Sequence, residues 1–231
     1  MDLQSGEYMM DKILTFDCYG TLINTAPMYD EISRIGEEHG LSGTAVRSIF
    51  INYEDRLMYG GDFLRYDKLV YEALGYCDME LNTSVLQKEY DRVIEAHKTL
   101  TAFPEVVQTL HRLKNDGYTL CMMSNSVPEI MEYNHKALDN VFDRIFLASE
   151  TRCYKPQIGF FHQVDSALGL KDKLHCHIAA GYWWDIVPAT QMGWNKIWVN
   201  RNNRKGSLAQ APYGEVTSLD QVFPLLEKLG F

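Results

Sequence analysis

From Pro104 onward the sequence alternates short apolar runs with amphipathic stretches, and this alternation constrains the fold more than any other feature. It predicts helix 104–115, strand Thr119 to Ser124, helix Pro128 to Leu138, strand Arg144 to Ser149 and helix Gly159 to Leu168. It continues with strand Cys176 to Ala180, helix Asp185 to Met192 and strand Lys196 to Asn200. Strands joined through helices pair in parallel by right-handed crossovers, so the expectation is an α/β fold: a doubly wound parallel sheet with helices on both faces. A further strand precedes these. Lys12 to Leu22 reads K-I-L-T-F-D-C-Y-G-T-L, an apolar run that ends on Asp17 and passes into a Gly-Thr turn. In open α/β sheets the loops beyond the carboxyl ends of the strands form the reactive face.

Between the first strand and Pro104 the pattern is helical throughout, with stretches at about Pro27 to Glu38, Gly43 to Tyr59, Phe63 to Leu74 and Leu86 to Thr99. No convincing strand interrupts them, which predicts a helical insert. The segment Arg201 to Gly214 is rich in Asn, Gly and Pro and is expected as an irregular surface loop, followed by a last helix at Leu219 to Leu229.

A chain of 231 residues with 46% hydrophobic content can bury its own core without staples. The formal charge of −9, with 22 basic residues scattered along the chain, argues against nucleic acid as a partner. Cys18, Cys77, Cys121, Cys153 and Cys176 are odd in number and widely spaced, so they suggest neither a disulfide framework nor a zinc site. The first twelve residues carry no basic and apolar leader pattern, and no stretch approaches the ~20 apolar residues of a membrane helix. A cytoplasmic protein without membrane association is expected.

Four strand ends carry polar groups. Asp17 leaves a strand of β-formers with Gly20 free to turn and Thr21 able to hydrogen-bond nearby, the setting of an aspartate nucleophile; a strand-capping acid would look the same. Ser124-Asn125-Ser126 precedes a helix opened by Pro128, where hydroxyls, an amide and free N–H groups form an anion cradle, although Ser126 as a plain helix cap fits too. Lys155 lies before Pro156 and can point at neighbouring strand ends, whereas most lone lysines are solvated. Asp185 opens a helix after a small-residue strand, a position that is often only structural. Together they make more sense than singly, because an aspartate beside a buried ammonium keeps a low pKa and stays ionised.

These four segments, in this order and spacing, resemble the four motifs of the haloacid dehalogenase superfamily, and the similarity covers nearly the whole chain. The resemblance implies a Rossmann-like core, residues 11–23 and 101–231, with a helical cap at residues 24–100. It implies Asp17 as nucleophile, Thr21 with Ser124 and Asn125 as positioners of the nucleophile and the substrate anion, Lys155 as the cation and Asp185 as the late acid. Cys18 and Tyr19, next to Asp17, are then expected at the substrate.

Departures from the family pattern refine the activity. Phosphatase members resemble this chain but read D-x-D-G-T, their second aspartate protonating an alcohol leaving group; here that position is Tyr19. A halide needs little help from an acid. Ala179 to Trp184 also lack the further acid that helps phosphatases hold magnesium. The expectation is therefore a 2-haloacid dehalogenase that needs no metal or cofactor, with a small carboxylate held by backbone N–H groups and Lys155, and halide released. The better-known L-2-haloacid dehalogenases resemble it less closely in two places: they have Ser and Asn where Ala180 and Tyr182 stand. They also carry a cap arginine near Phe50 to Asn52, where this chain has none. Arg47 and Arg56 lie about one turn to either side, and Arg56 is the chosen candidate. Tyr182, Trp183 and Trp184 either line a small dry halide pocket or belong to the core, with Tyr182 and Trp184 expected at the substrate. Three other readings remain: a metal-dependent phosphatase, a hydrolase that opens a small cyclic imino acid, and a binding module without chemistry. A homodimer is left open.

Overall fold

The computed structural model describes residues 11–231; the reading of residues 1–10 as leader-free lies outside the described residues. The chain enters through β1 (Lys12–Asp17) and then runs through four helices, α1 (Ala26–Glu38), α2 (Gly43–Tyr59), α3 (Tyr66–Glu80) and α4 (Tyr90–Lys98). It returns through α5 (Val106–Asn115) to β2 (Thr119–Ser124), α6 (Pro128–Lys136), β3 (Arg144–Leu147) and the short α7 (Ala148–Thr151). After α8 (Ile158–Leu168) come β4 (Leu174–Ala179), α9 (Val187–Gln191), β5 (Asn195–Val199), β6 (Gly214–Val216) and α10 (Phe223–Lys228).

All six strands are parallel neighbours in one sheet of order β3-β2-β1-β4-β5-β6. Leu14 and Phe16 are buried on one side of β1 and Thr15 on the other, as expected where both faces of a parallel sheet are covered. The chain winds outward from β1 through β2 to β3, then crosses back to β4 and winds the other way. The order thus switches between β1 and β4, and crevices for ligands open at such a point, beyond the strand ends. Asp17 stands at the end of β1, and Asp185 follows β4.

The fold differs from expectation at several boundaries. The segment read as an irregular loop ends in β6, whose three residues pair with β5 from Ile197 opposite Gly214 to Val199 opposite Val216. Three residues are too few for a period-two signal. Helix α3 starts at Tyr66, not Phe63, and runs to Glu80; a 3₁₀ turn, Gln87–Glu89, precedes α4. Residues 148 and 149, read as strand, turn into α7, and the last helix is a 3₁₀ turn, Leu219–Gln221, followed by α10. The helix expected from Asp185 begins earlier, with one π-helical turn at Tyr182–Ile186 in which the Ile186 N–H reaches back to the Gly181 carbonyl at 3.2 Å. Such wide turns concentrate at functional sites.

Core and helical insert meet along a seam that includes the packing of α4 on α6. The Asn24 N–H donates to the Thr101 carbonyl (3.0 Å), and on the core side of the crossing the Phe103 N–H donates to the Leu22 carbonyl (3.0 Å). The Tyr59 hydroxyl of α2 donates to the Lys155 carbonyl (3.0 Å), and Tyr154 of the core donates to the Leu64 carbonyl (2.7 Å). These contacts support 24–100 as the cap, which we propose as its extent. Among the described residues no helix is long and apolar enough to cross a membrane.

Candidate active site

Asp17 is fixed by the turn that follows it. Gly20 adopts φ +78°, where a side chain would be strained, and its N–H donates to the Ile23 carbonyl (2.8 Å). The turn carries Thr21 back under Asp17. Its Oγ1 donates to Asp17 Oδ2 (2.5 Å) and accepts from the Ala180 N–H (2.7 Å), which ties the end of β1 to the end of β4. Because the Ala180 N–H can only donate, the Thr21 proton is committed to the carboxylate.

Lys155 reaches the same point from the loop after α7. Its Nζ lies 2.8 Å from Asp17 Oδ1 and 2.7 Å from Asp185 Oδ1, and its side chain is buried. Asn125 holds its main chain in place: the Lys155 N–H donates to Asn125 Oδ1 (2.8 Å) and Asn125 Nδ2 donates to the Lys155 carbonyl (2.9 Å). A single ammonium shared by two buried carboxylates compensates them unequally. Burial raises Asp17, Lys155 pulls it back and Asp185 raises it again, so Asp17 lies above the ordinary carboxylate range rather than below it, contrary to expectation. Burial also raises Asp185, but Lys155 and His177 outweigh it and hold Asp185 below that range. Lys155, penalised by burial, is kept charged above its usual pKa by the two carboxylates.

His177, which carried no expectation, extends this network through the sheet. Its Nε2 is 3.2 Å from Asp185 Oδ1, its Nδ1 is 2.9 Å from Thr15 Oγ1, and Thr15 Oγ1 is 2.8 Å from His175 Nε2. Donation by Nε2 to Asp185 assigns the Thr15 proton to Nδ1 and makes His175 the donor to Thr15. The Asp185 carboxylate is thus held on Oδ1 alone. Its buried Oδ2 has no partner among the described residues, and Asp185 lines the cavity.

That cavity, about 320 Å³, separates sheet and cap and suits a small ligand. Asp17, Tyr19, Asn125, Lys155, Gly181, Trp184 and Asp185 line its core side. Trp184 stacks on Tyr59 of the cap, with ring centroids 5.1 Å apart.

Several expected contacts are not made. Cys18 is buried and lines no part of the cavity, and Ser124 is buried with its hydroxyl unpaired and likewise absent from the lining. Tyr182 turns away, exchanging hydrogen bonds with the Ser207 main chain (3.0 and 2.7 Å) and resting on Trp198. Asn125 lines the cavity, but both ends of its amide serve Lys155. Arg56 is exposed and lies over the Tyr53 ring at 4.9 Å; Arg47 pairs with Asp30 (2.7 Å) outside the cavity. The reason is helical phase. On α2 the buried stripe runs Val46, Phe50, Glu54, and Arg56 stands about 200° round from Glu54, on the solvent side.

Gly181 is required by a close approach. A Cβ there would sit 2.3 Å from Asp185 Oδ2. Gly181→Ala is therefore expected to displace the Asp185 carboxylate and lower turnover on the order of 10- to 100-fold, the usual cost of misplacing a reacting group by about 1 Å. Steady-state kinetics beside a melting curve check this: unaltered turnover would show that the Asp185 position is not critical.

The sequence profile of the family described as haloacid dehalogenase-like hydrolase matches residues 12–193. The chain is 28% identical to (S)-2-haloacid dehalogenase 4A of Burkholderia cepacia over 95% of this chain and 97% of that one. It is 26% identical to (S)-2-haloacid dehalogenase of Pseudomonas sp. (strain YL) over 94% of each. The crystal structure of a dehalogenase with an intermediate complex superposes with a TM-score of 0.79 at 26% identity, covering 94% of this chain and 97% of that one. With a strand-end aspartate, a shared buried lysine and a late aspartate at the switch of its sheet, the chain belongs to the haloacid dehalogenase-like hydrolases.

Proposed function

We propose that the protein hydrolyses the carbon–halogen bond of a small 2-haloacid, giving a 2-hydroxy acid and halide through an ester with Asp17. The observation that carries the reading is the placement of Asp17 on the cavity floor, with one oxygen on Thr21 and the other on Lys155. The relatives' names supply the substrate class. An Asp17 oxygen attacks the halogen-bearing carbon as halide leaves with the bonding electrons, and water then attacks the aspartyl carbonyl. Asp185, held below the ordinary carboxylate range and lining the cavity, orients that water. Trp184 and the cap exclude bulk solvent, which strengthens the contacts to Lys155.

Tyr19 favours this reading over phosphate-ester hydrolysis. It occupies the position of the phosphatase acid, yet its hydroxyl donates to Asn134 Oδ1 (2.7 Å), and burial raises its pKa well above that of an ordinary phenol. It holds its proton and aims it away from a leaving group.

The test is a single turnover with enzyme in excess in ¹⁸O-water. The new hydroxyl oxygen then comes from Asp17, so the first product is expected unlabelled and the label in the Asp17 carboxylate, read by peptide mass. A labelled first product with unlabelled Asp17 would mean direct attack by water and leave Asp17 at most a general base.

A further inference from the structure

The cap wall of the cavity carries polar groups for which displacement by Asp17 has no evident use. One comes from each cap helix: Tyr29 from α1, Glu54 from α2, Tyr66 from α3 and His97 from α4. Glu54, only 5% exposed, is the centre of the group: Tyr29 donates to its Oε2 at 3.0 Å and Tyr66 to its Oε1 at 2.7 Å. His97 is 2% exposed, and neither ring nitrogen has a partner among the described residues, although the ring rests on Tyr19 and Tyr66. Buried polar atoms are rarely left unpaired, and these border a cavity. Lys155 is the one cation in the lining, already divided between Asp17 and Asp185, and no arginine joins it.

We propose that the leaving group departs toward this cap cluster and that Glu54, in its protonated form, is a catalytic residue that gives it a hydrogen bond, with the His97 ring N–H as a second donor. The inference rests on the displacement reading above. As the Asp17 oxygen bonds to carbon, the carbon–halogen bond breaks and its electron pair leaves with the halogen, which shares the Glu54 proton. Hydrogen halides are stronger acids than a carboxylic acid, so the proton stays on Glu54 when halide escapes. Attack of water on the ester later restores the Asp17 carboxylate and releases one proton to solvent. The assistance is greatest for the halide that accepts hydrogen bonds most strongly, so the cluster equips the site for fluoride.

The surroundings keep the Glu54 proton available near neutrality. Burial raises Glu54, the phenols of Tyr66 and Tyr29 pull it partly back and Asp55 at the cavity edge raises it, leaving it at about 7. His97 is neutral because burial lowers it to about 3, and Tyr19 stays protonated. Across the cavity stand Asp17, Lys155 and Asp185. The donor is thus present below about pH 7 and lost above it.

The experiment compares kcat/KM for fluoroacetate and bromoacetate across pH 6–9 in the wild type, Glu54→Gln and Tyr66→Phe, with folding followed by circular dichroism. In the wild type the fluoroacetate-to-bromoacetate ratio is expected to fall as pH rises through 7. Glu54→Gln, whose amide N–H donates at every pH and does not titrate, is expected to make the fluoroacetate-to-bromoacetate ratio flat with pH. Tyr66→Phe, which keeps the carboxyl and removes one donor to it, shifts the falling limb to higher pH. Equal losses on both substrates with the limb retained would overturn the proposal. Should the wild type release halide from neither substrate, the displacement reading fails, and binding of sodium fluoride decides the rest. Fluoride affinity that falls above pH 7 in the wild type but not in Glu54→Gln supports the cluster as a halide site, and pH-independent or undetectable binding overturns it.

Discussion

Asp17→Asn is expected to lower halide release on the order of 10⁴-fold or more, the scale seen when a nucleophile is removed from a site whose binding groups remain. The geometry explains why the amide is a poor substitute beyond its weak nucleophilicity. Thr21 Oγ1 and Lys155 Nζ both donate to Asp17, one to each oxygen, and both are committed: Thr21 by the Ala180 N–H it accepts, Lys155 by its charge. An amide offers one oxygen, so one donor faces an NH₂ group. Stability is expected to fall by only about 1–3 kcal/mol, the cost of an unmatched buried donor, because Lys155 keeps its pairing with Asp185. Turnover assays on freshly purified protein, with deamidation excluded by mass, make the measurement. Near-normal activity would remove Asp17 from the reaction.

Lys155→Met is expected to cost on the order of 10³-fold in activity and about 3–5 kcal/mol in stability near pH 8, the penalty for leaving buried charge unpaired. Two carboxylates would then face each other through a dry site. One takes up a proton, and Asp17, already raised in the wild type, rises further and loses nucleophilicity at neutral pH. The sign of the stability effect follows from linkage. Carboxyls whose folded pKa exceeds the unfolded value bind more protons in the folded state, so the variant gains stability relative to the wild type as pH falls and loses it as pH rises through the folded pKa. Thermal unfolding at pH 5 and pH 8, beside a pH–rate profile, tests both parts. A variant with a wild-type profile and undiminished turnover would place Lys155 outside the chemistry.

Those two residues were legible because their signals are local. Asp17 ends an apolar run and meets a Gly-Thr turn; Lys155 lies in the Pro-marked loop that follows β3 and the short α7. The same locality failed at Arg56, since a residue's place on a helix face depends on which face is buried, and Val46, Phe50 and Glu54 mark that face only when read together. Glu54 could have been found as an acid at four-residue spacing on an apolar stripe, and His97 as a histidine four residues beyond the buried Val93.

By itself the sequence determined the parallel α/β core, the helical insert, and the order in which Asp17, Lys155 and Asp185 follow the strands, because strand and helix periodicities are written in neighbouring residues. Only the tertiary structure decided how that chemistry is poised. The strand order puts β1 beside β4, which lets Thr21 join Asp17 to Ala180 and lets one ammonium divide between Asp17 and Asp185. It also pairs Thr15 with His177 in register, linking the histidines to Asp185. The cap wall depends on how four helices close over the sheet, which brings Tyr29, Glu54, Tyr66 and His97 to one cavity. Burial and charge sharing, which set whether each acid holds its proton, are properties of that assembled volume and of no segment within it.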